Sequence, residues 1–83
     1  MEQETQEVVA LLEELQQDNT VPRNVKIKLQ EMQQQLQSDN GELSLKINRI
    51  LSEVEEIAND INLPMFIRTQ IWNLTSMLES INT

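Results

Sequence analysis

Cysteine and histidine are both absent from the 83-residue sequence, which also has one glycine, two prolines and two aromatic residues. Without cysteine the chain forms no disulfide bond and offers no thiol nucleophile, and without either residue it has no zinc site of the usual Cys/His kind. The lack of histidine also removes imidazole acid–base catalysis. Because strands favour aromatic and β-branched residues set off by turns, this composition predicts an all-α protein.

Positive charge is scarce as well, since six Lys and Arg residues stand against fourteen Asp and Glu residues, for a net charge of −8. Nucleic acids are polyanions, so we expect no unaided binding to nucleic acid. No apolar run approaches the roughly 20 residues that cross a membrane, and no signal-peptide pattern opens the sequence. We therefore expect a cytoplasmic protein that does not have a membrane as its partner.

Apolar residues recur every three or four positions along four segments, which is the spacing of amphipathic helices. The predicted helices cover residues 3–18, 22–37, 43–60 and 64–81. The apolar stripes that we expect in the core are Val8, Leu11, Leu12, Leu15, Val25, Leu29, Met32, Leu36, Leu43, Ile47, Ile50, Val54, Ile57, Ile61, Ile67, Ile71, Leu74, Leu78 and Ile81. The connections between these helices are short, so consecutive helices should pack antiparallel.

Pro22 and Pro64 mark the starts of the second and fourth helices. Proline has no backbone N–H, and this costs nothing in the first turn of a helix because N–H groups there have no partner within the helix. Thr20 and Asn62 each precede a proline by two residues, and we predict that they cap the open N–H groups of these helices. Residues 38–42 contain Ser-Asp-Asn-Gly, which is the strongest turn signal in the sequence.

The sequence repeats itself after 42 residues. Aligned pairs include Val21 with Leu63, Pro22 with Pro64, Val25 with Ile67, Leu29 with Ile71 and Leu36 with Leu78. A lone helical hairpin cannot bury its apolar stripe, whereas two hairpins placed face to face can. We predict a single domain over residues 1–83: an antiparallel up-and-down four-helix bundle made of two repeated helical hairpins, 3–37 and 43–81, joined by a turn at 38–42.

Two proline-centred segments carry a resemblance to known proteins. Asp18–Asn24 reads Asp-Asn-Thr-Val-Pro-Arg-Asn, and Leu63-Pro64 is followed by Arg-Thr-Gln-Ile-Trp-Asn-Leu over 68–74. Together they resemble an uncharacterised archaeal family of short, acidic proteins with the same duplicated layout, and the resemblance covers nearly the whole chain. It implies a compact all-helical bundle, and it implies no activity, cofactor or functional residue because the family has none assigned.

Two acidic pairs also recur 42 residues apart, and the two members of each pair are four positions apart. The pairs are Glu14 with Asp18 and Glu56 with Asp60. Carboxylates four apart on a helix share a face and are suited to Mg²⁺ or Ca²⁺. Charge pairing across each hairpin, with Lys26 and Arg68, explains the repetition without a metal. We therefore assign no metal site and no cofactor.

Neither the bases nor the hydroxyl groups form a recognisable active site. Arg23, Lys26 and Lys28 lie at the start of the second helix, but three bases beside the acids of the preceding helix make a weak field for a polyanion. The Ser and Thr residues lack a base at a recognisable spacing and a Gly-rich turn that would build an oxyanion pocket. We assign no catalytic residue and predict that the protein is not an enzyme.

The fourth helix provides the candidate partner interface. At about 100° per residue, Met65, Thr69, Trp72 and Ser76 project away from its core stripe, and Phe66 lies at the flank. Trp and Met are enriched in interface cores. A second interpretation stays open at this point, in which Trp72 lies across the groove between helices and completes a small core.

The sequence therefore predicts a small non-enzymatic interaction or assembly protein that associates through helix 64–81. The expected partner is a second copy in a homo-oligomer or another protein. The alternative is an acidic regulator that binds a basic protein surface through helices one and three. Salt distinguishes the two, because an apolar interface survives high salt and an acidic one does not.

Overall fold

The structure, a computed structural model, describes residues 2–38 and 41–82. Over these residues the chain forms four helices and no strand: α1 (Glu2–Gln16), α2 (Arg23–Gln37), α3 (Leu43–Ala58) and α4 (Met65–Asn82). The predicted all-α four-helix fold is confirmed. The largest differences from the predicted boundaries are at the ends of α1 and α3, each of which stops two residues early.

The helices pack in chain order around a square. α1 lies beside α2 and α4, and α3 lies beside α2 and α4, whereas among the described residues no Cα atoms of α1 and α3, or of α2 and α4, come within 8 Å of each other. Because only short segments connect consecutive helices, neighbours run antiparallel. The molecule measures 33 × 20 × 19 Å, and its long dimension fits one helix of 15 to 18 residues with its loops.

The core is made of 18 buried apolar side chains, and no polar or charged side chain among the described residues is buried. Sixteen of the 18 form eight pairs separated by 42 positions, and the two others are Ile47 and Ile81. The pairs are Val8 with Ile50, Leu12 with Val54, Leu15 with Ile57, Val21 with Leu63, Val25 with Ile67, Leu29 with Ile71, Met32 with Leu74 and Leu36 with Leu78. The burial pattern therefore repeats with the period of the sequence, while superposition of the two hairpins stays a prediction.

One expected core residue is wrongly placed by the sequence pattern. Ile61 is 85% exposed, because α3 ends at Ala58 and Ile61 falls in the following turn. The inward position is taken by Leu63, which is buried next to Pro64. Leu11 and Leu43 pack against the core but are only partly buried.

The loops between the helices of each hairpin share the same hydrogen bonds. The backbone N–H of Thr20 donates to Oδ1 of Asp18 at 2.8 Å, and that of Asn62 donates to Oδ1 of Asp60 at 2.9 Å. In each loop the acidic residue also accepts, through its backbone oxygen, the N–H of the buried residue three positions later. These Asx turns satisfy the loop backbone and direct Val21 and Leu63 into the core.

Thr20 does not cap α2, contrary to the prediction. Its hydroxyl donates to Asp18 Oδ1 at 2.6 Å, and α2 has no side-chain cap hydrogen bond at its N-terminus. The carbonyl oxygen of Pro22 accepts the N–H groups of Val25 and Lys26 at 3.1 and 3.0 Å. The hydroxyl therefore stabilises the loop rather than the first turn of the helix.

The predicted turn between the hairpins is described only in part, because Asp39 and Asn40 lie outside the described residues. Ser38 follows α2 with an extended backbone, and its N–H donates to the carbonyl oxygen of Gln35. Gly41 has a φ of 81°, a left-handed conformation that glycine adopts without steric cost.

The core assignment predicts a large loss of stability on truncating Ile71, whose side chain is fully buried. Ile71→Ala should lower the free energy of unfolding by about 2–5 kcal/mol, through lost transfer energy and the cavity left behind. The matched control is Leu45→Ala, because Leu45 is 65% exposed and its truncation should change stability by less than about 0.5 kcal/mol. Urea unfolding measures both, and equal effects would contradict the assigned helix phase.

The first loop predicts a pH effect on stability. The hydroxyl and backbone hydrogen bonds from Thr20, with a smaller contribution from the charge of Lys26, lower the pKa of Asp18. A carboxyl whose pKa is lower in the folded state stabilises the fold above its unfolded value, and this stabilisation is lost as the pH falls through the folded value. Asp18→Asn should therefore flatten the stability profile below about pH 4.

Thr20→Val is the companion variant, because it removes the hydroxyl donor and keeps the backbone one. NMR titration of the Asp18 carboxyl should give a pKa between the wild-type and the ordinary value in this variant. An unchanged pKa would show that the hydroxyl does not contribute.

Candidate interaction surface

The outward side of α4 carries almost no charge. Eight described residues of this helix are exposed, and only Glu79 among them is charged; they are Met65, Phe66, Thr69, Trp72, Asn73, Ser76, Glu79 and Ser80. On α1, by contrast, four exposed residues are acidic: Glu4, Glu7, Glu13 and Glu14. The five residues that the sequence analysis selected, Met65, Phe66, Thr69, Trp72 and Ser76, are all exposed, and we call them the α4 surface.

The large apolar side chains of the α4 surface are well exposed. Met65 is 70% exposed, Phe66 64% and Trp72 55%. The other exposed large hydrophobic residues lie on other elements: Ile27 on α2, Leu45 on α3 and Ile61 in the loop before α4. The α4 surface is thus the place where several exposed apolar side chains follow one another along one helix.

Trp72 is not a core residue. It lies outside the core cluster and outside the set of partly buried apolar residues that pack against it. Trp72 lines a surface pocket between α3 and α4 with Ala58, Asn59 and Thr75. More than half of the residue remains accessible, so the interpretation of Trp72 as part of a small core does not hold.

Thr69 contributes little polarity to the α4 surface. Its hydroxyl donates to the carbonyl oxygen of Met65, one turn earlier, at 3.1 Å. Because the donor already has a partner within the helix, covering Thr69 would leave no unsatisfied hydroxyl proton. The methyl group is what remains for contact with another molecule.

The acidic pairs do not have the geometry that the sequence predicted. α1 ends at Gln16 and α3 at Ala58, so Asp18 and Asp60 lie in loops rather than one turn along a helix from their partners. Oδ1 of each aspartate accepts a backbone N–H of its own loop. The described residues contain no group of three or more acidic side chains arranged to hold a metal ion.

Lys26 and Arg68 are the bases expected to neutralise these acids. The charge of Lys26 contributes to the lowered pKa of Asp18, which is one member of the first acidic pair. Arg68 is partly buried, and its Nε atom is shielded from solvent without a hydrogen-bond partner. Pairing of Lys26 with Glu14 and of Arg68 with Glu56 stays a prediction.

Sequence reasoning missed Ile61 as an exposed apolar residue, since its spacing continued the stripe of α3. The signal that identifies it is the duplication, because the equivalent residue of the first hairpin is Asn19, a polar residue of the first loop. Over the part of the chain that the structure describes, no helix is long and apolar enough to cross a membrane.

The molecule is thus a small four-helix bundle with a buried aliphatic interior and one nearly uncharged outer helix face. The chain belongs to the family described as "Uncharacterised protein family (UPF0147)", which matches residues 1–81. The resemblance stated from the two proline-centred segments is therefore confirmed.

Relatives of the chain are archaeal. A UPF0147 protein of Archaeoglobus fulgidus is 44% identical over 77 residues, which is 93% of this chain and 87% of the relative. One of Thermoplasma volcanium is 41% identical over 75 residues, or 90% of this chain and 84% of the relative.

Solved structures share the fold. The crystal structure of a UPF0147 protein from Thermoplasma acidophilum has a TM-score of 0.92 and 39% identity over 96% of this chain and 94% of that one. A crystal structure described as a protein of unknown function has a TM-score of 0.88 and 31% identity over 96% of this chain and 91% of that one.

The loop positions of Asp18 and Asp60 lead to a prediction about metals. Removing divalent ions with a chelator should leave the melting temperature unchanged, because a backbone N–H of its own loop already donates to the carboxylate of each aspartate. Thermal unfolding monitored by circular dichroism, with and without the chelator, measures this. A large drop in the melting temperature would favour the metal interpretation of the acidic pairs.

Proposed function

We propose that this protein is a non-enzymatic interaction protein that associates with a protein partner through the α4 surface. The observation that carries the proposal is the exposure of Met65, Phe66 and Trp72 on one helix of a chain whose net charge is −8. Apolar patches on small domains often mark interaction sites. Trp is prominent among the residues that contribute most to binding energy, and Met is enriched in interfaces.

The hydroxyl chemistry of the described residues supports a non-enzymatic role. The hydroxyl of Thr20 donates to Asp18, and those of Thr69 and Thr75 donate to backbone oxygens one turn earlier at 3.1 and 3.3 Å. A nucleophilic hydroxyl needs a positioned base that takes its proton. For these groups the acceptor is either a loop carboxylate in an Asx turn or a helix carbonyl, so their hydrogen bonds support a structural role.

The alternative, an acidic regulator that binds a basic protein through α1 and α3, has a geometric difficulty. α1 and α3 occupy opposite corners of the square, and over the described residues none of their Cα atoms come within 8 Å of each other. Their outward faces point in opposite directions, so a flat basic surface meets the acids of one helix at a time. This favours the α4 surface, which is continuous along a single helix.

The proposal includes a cytoplasmic location and excludes nucleic acid and membranes as partners, as expected from the sequence. The charge distribution supports the exclusion of nucleic acid, because α1 exposes four acidic residues and the α4 surface contains no basic residue. A polyanion would be repelled by α1 and would find no positive charge on the α4 surface.

Trp72→Ala tests the proposal. The variant should lose association while keeping its fold, because Trp72 lies outside the core. Mass in solution by light scattering, on protein purified without denaturant, should shift toward monomer, and the melting temperature should change only modestly. The association of the wild-type protein should also persist at high salt, where contacts between exposed charges are screened.

The matched control is Leu45→Ala, an exposed aliphatic residue on α3 that is 65% exposed. This variant should keep the wild-type mass. If Trp72→Ala keeps the wild-type mass but its melting temperature is far below that of the wild type, Trp72 acts in folding and the proposal is wrong. If association disappears at high salt in the wild type, the acidic alternative is favoured.

A further inference from the structure

We propose that the occupant of the α4 surface is the same surface of a second copy, packed antiparallel about a twofold axis, with Thr69 opposite Trp72 of the second copy. This inference rests on the proposed function and names its partner. It draws on three features of α4, which are the spacing of its large and small residues, its charge, and its size.

Large and small residues alternate along the α4 surface. Met65 and Trp72 are large, Thr69 and Ser76 are small, and the steps between successive members of this stripe are 4, 3 and 4. The spacing reads the same in both directions. An antiparallel twofold arrangement that places Thr69 opposite Trp72 therefore also places Met65 opposite Ser76.

This arrangement brings each large side chain against a small one. In a twofold interface each residue pair occurs twice, so Trp72 of each copy packs on Thr69 of the other. Helices pack at about 8–10 Å between axes, depending on the side chains at the contact, and large residues opposite small ones allow the short end of this range. A parallel arrangement in register would instead oppose Trp72 to itself and Thr69 to itself, which leaves gaps between the bulky pairs.

Burial of Thr69 in such an interface is compatible with its hydrogen bond. The hydroxyl donates to Met65 within the same helix at 3.1 Å, and this bond does not depend on solvent. The methyl group of Thr69 then faces the indole of the second copy. The contact buries apolar surface on both sides without leaving a hydroxyl donor unpaired.

The charge distribution favours self-association through α4 over self-association through an acidic helix face. Two molecules of net charge −8 repel each other, and α1 would oppose four exposed acids to four more. The exposed face of α4 has a single charged residue, Glu79. In the proposed arrangement the two Glu79 residues lie about 25 Å apart along the helices, well beyond the screening length of about 8 Å at physiological salt.

The size of the surface predicts a weak dimer. α4 has 18 residues, so it is about 27 Å long and, with side chains, about 10–12 Å wide. Stable interfaces bury about 800 Å² per partner, and the outline of a single helix face of this size covers well under half of that area. We therefore expect reversible dimers at micromolar concentration rather than a permanent assembly.

Two measurements on the intact chain test self-association. Sedimentation equilibrium from about 1 to 100 µM should show a monomer–dimer equilibrium, and Trp72→Ala should weaken it by at least about 30-fold, the effect expected of a hot-spot residue. Trp72 is the only tryptophan, so its fluorescence should shift to shorter wavelength as dimers form. Leu45→Ala should leave the dimerisation constant unchanged.

Disulfide trapping tests the antiparallel register. Because the chain has no cysteine, introduced thiols are the only ones present. Met65→Cys and Ser76→Cys variants, mixed in equal amounts in a glutathione redox buffer, should form mostly the mixed disulfide. In the proposed dimer positions 65 and 76 face each other, whereas the two 76 positions lie about 16 Å apart along the helices, too far for a disulfide.

Leu45→Cys provides the background of random cross-linking from an exposed site off the α4 surface. A Ser76→Cys homodimer as abundant as the mixed product would overturn the antiparallel register. Cross-linking no higher than the Leu45→Cys background, with monomers up to about 100 µM, would overturn the second copy as partner.

The same experiments distinguish failure of the dimer inference from failure of the proposed function. If the wild-type protein is monomeric, but a different protein binds it and Trp72→Ala removes that binding, the α4 surface functions with another partner and only the present inference fails. If a dimer forms and Trp72→Ala does not weaken it, both the inference and the proposed function are wrong.

Discussion

Burial of an unbroken aliphatic interior is the constraint on which the rest of this structure depends. A chain of 83 residues without disulfide bonds has little surface to bury and no covalent support. All of the buried side chains among residues 2–38 and 41–82 are apolar, and they come from every helix. Because a polar residue in so small an interior would need a buried partner, the charged and amide side chains are left for the outer faces.

An apolar interior stabilises the bundle but discriminates weakly between alternative helix registers, since aliphatic residues tolerate repacking. The hairpin loops supply that discrimination. In each, an aspartate carboxylate accepts a backbone N–H, the aliphatic residue three positions after the aspartate is buried, and a proline precedes the helix. Val21 and Leu63 therefore link loop conformation to core packing, and a slip of either helix would remove one of them from the interior.

The fold was largely predictable because the helix stripes are regular, as the complete burial of Ile50, Val54, Ile71 and Leu74 shows. The errors lie where helices end. Periodicity carried α3 on to Ile61, although the loop geometry at Asp60 ends the helix and turns this side chain outward. Hydrogen bonding within a loop depends on a few backbone angles that apolar spacing does not report.

The five residues of the α4 surface were identifiable for the same reason that the core was, since the phase of a regular helix determines its outward side as well as its inward side. Whether Trp72 would fold back over a neighbouring helix could not be decided from phase. The choice depends on the space beside Ala58 and Thr75, which is a property of how α3 and α4 pack. The structure leaves the indole more than half exposed there.

The duplication provides an internal comparison that bears on function. Five positions of α2 and five of α4 are equivalent and all ten are exposed: Arg23 and Met65, Asn24 and Phe66, Ile27 and Thr69, Gln30 and Trp72, Gln34 and Ser76. The core residues of the two hairpins are apolar in every matched pair. α2 thus buries an apolar stripe equivalent to that of α4 while its outer face is mostly polar. Folding alone therefore does not require an indole, a thioether and a phenyl ring on α4, and this supports the proposal that they contact another molecule.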